Sequence, residues 1–197
     1  MDSIIESSTV LGRKISVVME DLTFAYSRPC IMDIKMGTKT YAEDTNMFKK
    51  KIRQLKDDGT TSSRYGLRIT GFRTFNMASN QFFEFGKEAA ERISNIESME
   101  QKIKDFYFNG NVVRKDVVLY FIERLTLLLS WMNTQNYYRF YSSSLLFVYE
   151  GQTEQLFKAD VRMIDFAHVH EIRDGGIDEG YVKGLKKLIE ILTKLSH

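Results

Sequence analysis

The chain has 197 residues and a mass of 23.0 kDa, with 28 Lys and Arg against 26 Asp and Glu, a formal net charge of +2 at pH 7. That balance is too near neutral to mark a nucleic-acid binder by bulk charge, and a content of 43% hydrophobic and 27% charged residues is that of an ordinary globular protein able to bury a core in one domain or a small two-lobed unit. The single cysteine, Cys30, excludes an internal disulfide and a multi-cysteine zinc site and fits a reducing compartment.

The opening MDSIIESSTVLG carries two acids and no basic run, so no secretory signal is expected. The longest apolar stretch, near Leu125 to Met132, falls short of the roughly 20 residues that span a bilayer. An intracellular protein, cytoplasmic or nuclear, is the expectation.

In chain order, residues 1–13 are polar and weakly patterned and are expected as a frayed arm. Ile15 to Met19 reads as a short β-branched strand, followed by a connector. Pro29, the only proline, precedes Cys30 to Met36, where Ile31, Asp33 and Lys35 alternate with Met32, Ile34 and Met36. Period 2 predicts a strand, with proline tolerated at its first position. Residues 43–58 predict a helix closed by Asp58-Gly59, and Leu67 to Asn76 a strand with Gly71 as a bulge. Residues 85–108 and 115–135 read as helices, the second with a broad apolar stripe through Val117, Phe121, Leu125 and Met132. Phe140 to Tyr149 and Asp160 to Phe166 read as strands joined by a hairpin-like Glu150-Gly151 turn. A loop over 171–177 leads into an amphipathic helix, 178–195. The expected class is α+β.

Neither GxGxxG, GxxxxGK[ST] nor GxSxG occurs, which removes the dinucleotide turn, the P-loop and the serine-hydrolase elbow. Cys30 has no histidine near it in sequence. His168 and His170 would share one face of a strand, and two imidazoles without a third ligand predict a structural or hydrogen-bonding role over a metal site.

Three constellations remain. Asp33 and Lys35 stand two apart on one face of an apolar strand. Burying either charge alone costs several kcal/mol, so they form a structural ion pair or face a ligand cleft. The run Val161 to His168 (VRMIDFAH) ends an apolar strand in Asp165, placed either to cap a turn or to hold Mg²⁺ against phosphates. Lys49, Arg53 and Lys56 lie on one face of the 43–58 helix, within a stretch from Lys49 to Arg73 that holds eight basic and two acidic residues. Like charges at i, i+4 cost only roughly 0.2–0.5 kcal/mol per pair, so a solvated face is tolerable, but the concentration favours a polyanion: phosphates, anionic lipid or RNA. RNA is disfavoured by the lack of interleaved aromatics for base stacking along Lys49 to Lys56.

In order, PCIMDIKMG, Ser143-Ser144-Leu145-Leu146, VRMIDFAH and Asp178-Glu179-Gly180-Tyr181 resemble the motifs of the inositol polyphosphate kinase family, most closely its multikinase branch, over about residues 15–195. The resemblance implies a protein-kinase-like, two-lobed fold. Residues 1–22 would be the remnant of a severely shortened N-lobe and hinge, and 23–197 a C-lobe carrying the inositide-binding helix. It implies ATP and Mg²⁺ as cofactors and phosphoryl transfer to a soluble inositol polyphosphate, with no nucleic acid as partner, no transmembrane segment, and phosphoinositide contact left open. By that resemblance the backbone of Glu20 and Leu22 would hold adenine, Asp33 the ribose, Lys35 the transferring phosphoryl group and Asp165 the metal. Ser144 would lie near metal or nucleotide, and Lys49, Arg53, Lys56 and His168 would contact the inositide. Ile52 stands where some relatives carry a polar substrate contact. Family members place a phosphate-gripping lysine in the N-lobe, and Lys14 is too close to the hinge to match it, so a catalytically inactive inositol phosphate-binding module is the alternative.

Overall fold

The computed structural model describes residues 2–10, 13–41 and 46–197, and side chains from residue 18 onward apart from those of Lys49, Arg53, Lys56 and Asp57. Among the described residues, nine strands and six helices confirm the α+β class. Asp2–Val10 (β1) and Arg13–Glu20 (β2) pair antiparallel in a sheet of their own. The expected frayed arm is therefore half of a β-ribbon: its polar, β-branched residues pair with the strand that follows instead of fraying.

The centre is a five-stranded antiparallel sheet. Its strands are Pro29–Met36 (β3), Leu67–Asn76 (β4), Gln81–Phe85 (β5), Ser144–Glu150 (β7) and Ala159–Ile164 (β8), in the order β5-β4-β3-β7-β8. β3 follows the expected alternation: Cys30, Met32, Ile34 and Met36 are buried while Ile31, Asp33 and Lys35 are half-buried. The core-side residues pack beneath Ile96–Tyr107 (α4), Lys115–Thr134 (α5) and Glu179–Ser196 (α6), whose buried Ile103, Phe106, Phe121, Leu125, Leu185 and Leu188 join one cluster. Burying each such side chain contributes about 1.5–3 kcal/mol. The helices cover one face of the sheet, and Asp33 and Lys35 emerge on the other.

Met47–Asp57 (α1) realises the expected basic helix, started by the Asn46 side chain accepting from the Phe48 N–H at 2.9 Å. Thr61–Tyr65 (α2) then ends at Gly66, whose φ of +79° needs glycine. Gly66 and Gly184 of α6 touch backbone to backbone, leaving no room for a Cβ on either.

Four further expectations need correction. Residues 85–108 are not one helix: β5 ends at Phe85, Lys87–Ala90 (α3) makes a single turn, and α4 restarts where the Asn95 side chain accepts from the Ser98 N–H at 2.8 Å. The aromatics of QFFEF pair with β4, setting Phe85 opposite Phe72 with rings 5.2 Å apart. The strand expected over 140–149 is two: Tyr138–Phe140 (β6), then β7, separated by Ser142 at φ 58°. β7 and β8 are joined by residues 151–158 and not by a two-residue turn. Finally, His168 and His170 share no strand, because β8 stops at Ile164. His168 lies in a single 3-10 turn, Phe166–His168, and His170 in Val169–Glu171 (β9), which pairs with β6. Among the described residues, no helix is long and apolar enough to cross a membrane.

Candidate functional site

The strand register assembles the open face of the sheet. Lys35 stands opposite Arg68 of β4 on one side and Ser144 of β7 on the other, and Ser144 stands opposite Ile164, the last residue of β8. One row therefore runs Arg68, Lys35, Ser144, Ile164, with Asp165 following at its end. The next row holds Gly71, Asp33, Leu146 and Arg162. Between the rows β4 bulges, Asp33 facing Gly71 and Ile34 facing Ile69, so Thr70 is the extra residue.

Around Asp33 the polar groups are left unsatisfied. Among the described residues Asp33 Oδ1, Thr70 Oγ1 and Ser144 Oγ are buried without a well-formed hydrogen bond, although the Ser144 and Thr70 hydroxyls lie near enough to act on the Asp33 carboxyl. Such orphans are uncommon in native proteins, and each costs about 1–3 kcal/mol. Burial pushes the Asp33 carboxyl up from the usual aspartate range; the Ser144 hydroxyl pulls it down, the Asp165 carboxylate pushes it further up, and Lys35 and Thr70 pull it down. Asp33 and Lys35 do not pair: the described hydrogen bond of Lys35 Nζ goes to the Ser142 carbonyl at 3.3 Å. The structural ion pair is thus not what occupies these charges.

Asp165 is exposed and holds φ 64° and ψ 61°, a left-handed backbone that few non-glycine residues adopt. Its side chain makes no capping bond to the 3-10 turn that it precedes, so the turn-capping reading does not hold. Among the described residues the carboxylate, presented at the strand end, makes no hydrogen bond or ion pair. Among the described residues no group of three or more His, Cys, Asp or Glu could hold a metal ion by itself. A Mg²⁺ ion fits such a donor set when phosphate oxygens and water complete its shell, which is its usual habit. The orphaned polar atoms on the adjoining strands likewise fit a polyhydroxyl or phosphate ligand.

The connector runs along the same edge. Asp21 Oδ1 accepts from the Thr23 N–H (2.9 Å) and hydroxyl (2.8 Å), and these bonds lower its carboxyl pKa and fold the segment containing Leu22 into a turn. The Glu20 carboxylate reaches the field of Arg162 on β8, whose guanidinium is raised first by its bond to Asp160 (2.6 Å). Buried Glu150, at the end of β7, accepts from the N–H groups of Ser27 (2.6 Å), Arg28 (3.0 Å) and Gln152 (3.1 Å), which ties the connector to the sheet.

The structure brings Asp33, Lys35, Ser144 and Asp165 onto one face. His168 sits exposed three residues beyond Asp165, its carbonyl accepting from the Tyr141 N–H at 3.0 Å. Lys49, Arg53 and Lys56 are on α1, but their side chains lie outside the described residues; Ile52 on that helix is exposed. Sequence reasoning gave no role to Arg68 or Thr70. Strand alternation in LRITGFRTFN points to Arg68, whereas Thr70 depends on a bulge register that only the paired strands reveal.

The sequence profile of the inositol polyphosphate kinase family matches residues 16–193. The chain belongs to that family. It is 32% identical over 210 residues to human inositol hexakisphosphate kinase 3, covering 91% of this chain and 51% of the relative. It is also 32% identical over 136 residues to the inositol polyphosphate multikinase of Mus musculus, covering 69% and 34%. Both branches match, and the chain spans about half the length, or less, of these curated relatives. A solved inositol phosphate multikinase superposes with a TM-score of 0.82 at 26% identity, over 91% of this chain and 85% of that one. The S. cerevisiae multikinase, solved with ADP and Mn²⁺, gives 0.82 at 23% identity, over 100% and 89%. The kinase-like α+β fold is therefore that of the family.

Proposed function

We propose that this chain carries out ATP- and Mg²⁺-dependent phosphoryl transfer to a hydroxyl or phosphate of a soluble inositol polyphosphate. The observation that carries the reading is the convergence of Asp33, Lys35 and Asp165 on one open sheet face, with the polar atoms around Asp33 unpartnered. Family membership supports it, as does the S. cerevisiae neighbour of the same fold, which was solved with a nucleoside diphosphate and a divalent cation.

Half-buried Ile31, Leu146 and Ile164 offer an apolar floor beneath the nucleoside. The backbone of Glu20 and Leu22 would bond the base, and the Asp33 carboxylate would accept from ribose hydroxyls, satisfying its orphaned oxygen. Asp165 would hold the divalent cation, which supplies neutralisation of phosphate charge. Lys35 would place its ammonium against the transferring phosphoryl group, with Ser144 donating its hydroxyl nearby. Lys49, Arg53, Lys56 and His168 would orient the acceptor through its other phosphates. The acceptor oxygen forms a bond to phosphorus as the bond to the nucleoside diphosphate breaks, so the protein contributes positioning and charge more than covalent chemistry.

Incubation with ATP, Mg²⁺ and a panel of inositol phosphates should give a product carrying one more phosphate, formed at least about tenfold more slowly by Asp165→Asn. Binding of inositol phosphate without transfer at high protein concentration would instead establish an inactive binding module.

A further inference from the structure

Arg68 and Lys35 are direct cross-strand partners on the open face, both half-buried. Such partners hold their Cβ atoms about 4.5–5.5 Å apart, and like charges so placed repel. No ion pair relieves the repulsion among the described residues: Lys35 donates to the Ser142 carbonyl and feels the Asp33 carboxylate only through its field, and Arg68 has no described partner. On the other side of Lys35 stands Ser144 with its buried, unpartnered hydroxyl. The row thus presents two cations and the Ser144 hydroxyl side by side, with the Asp165 carboxylate beyond them. A guanidinium offers a planar fork that matches two phosphate oxygens, and an ammonium beside it adds a point charge. A bound phosphate would turn the unfavourable pair into a favourable three-body contact.

We propose that Arg68 is a phosphate-binding residue that acts with Lys35 as a two-cation clamp, an inference that rests on the phosphoryl-transfer reading for the ligand's identity. The clamp recognises a phosphate group, carried either by the nucleotide or by the inositol polyphosphate. It supplies a second positive charge from the sheet itself, in a site whose resemblance to relatives would call for a lysine from the preceding lobe.

Calorimetric titration of the wild-type chain, Arg68→Gln and Arg68→Lys with ADP plus Mg²⁺, and separately with inositol hexakisphosphate, tests the inference. Arg68→Gln should weaken one of the two ligands by about tenfold or more, and the arm affected identifies which phosphate the clamp holds. Arg68→Lys should recover part of the loss. In the absence of ligand, Arg68→Gln should melt at or above the wild-type temperature, since a repulsion has been removed. Unchanged affinity for both ligands, or a lower melting temperature of the free variant, would overturn the clamp. Transfer by the wild-type enzyme in the face of either result would leave the phosphoryl-transfer reading standing, whereas a wild-type chain that binds neither ligand overturns both.

Discussion

Asp33 on β3 and Asp165 at the end of β8 face the same side of the sheet with only β7 between them, and the Asp165 carboxylate helps to hold the Asp33 carboxyl above its usual range. They come from stretches more than a hundred residues apart. Desolvation of Asp33 is the larger cause, and the Ser144 hydroxyl is the principal opposing influence. A fold gains nothing in stability by gathering two carboxylates beside unpartnered hydroxyls, so a ligand that satisfies them is the physical reason for the arrangement.

That relationship has a pH signature. The folded-state pKa of Asp33 is raised above 3.8, so the ligand-free native state holds this proton more tightly than the unfolded chain does. Its contribution to stability is greatest below that value, falls as pH rises toward the folded pKa, and stays lower above it. Asp33→Asn removes this window. Its melting temperature should match the wild type near pH 3 and exceed it at pH 7, measured without nucleotide. Nucleotide affinity should fall in the same variant.

Asp165→Asn should keep the fold, because asparagine tolerates a left-handed backbone about as well as aspartate. Loss of one charge-assisted contact of about 1.5–3 kcal/mol predicts a fall in turnover of roughly ten- to a hundredfold. Steady-state rates across a Mg²⁺ series, read beside a melting curve, check both parts.

Glu150 tests the connector. Its carboxylate accepts three backbone N–H groups, two of them from the segment that leads into β3. Glu150→Gln replaces one acceptor oxygen by a donor and should cost about 1.5–3 kcal/mol in denaturant unfolding. The KM for ATP should rise more than kcat falls, since on the proposed reading the connector would hold the base and not the reacting phosphate.

Gly184→Ala probes the fold alone. A Cβ there would collide with the Gly66 backbone and with Met36 Cε. The expected destabilisation is roughly 1–3 kcal/mol or more, a few degrees in melting temperature.

Much of this was legible in the sequence where a single periodicity decided the outcome. The alternation through Cys30–Met36 placed Asp33 and Lys35 on one face, and the apolar run ending in Asp165 placed that carboxylate at a strand end. The segment from 81 to 108 was not legible, because the QFFEF aromatics owe their strand to pairing with β4, a contact no local pattern records. The break at Ser142 was hidden for a similar reason: the hydroxyls of Ser142 and Ser143 bond the Thr40 and Phe140 carbonyls and stabilise a turn inside what reads as continuous β sequence. Thr70 reaches Asp33 only through a bulge, and a one-residue offset depends on both strands. Arg68 could have been found, since it shares the period of β4, but its opposition to Lys35 is a matter of register.

On the proposed reading one open sheet face receives a nucleotide together with a divalent cation. Its most direct test is the melting temperature of the wild-type chain and of Asp165→Asn, each with ATP plus Mg²⁺ and with ATP plus chelator. At about a hundred times the dissociation constant the wild type should gain about 2.7 kcal/mol, with the gain lost on chelation and absent from the variant. An equal shift in wild type and variant, or no shift in either, would contradict the account.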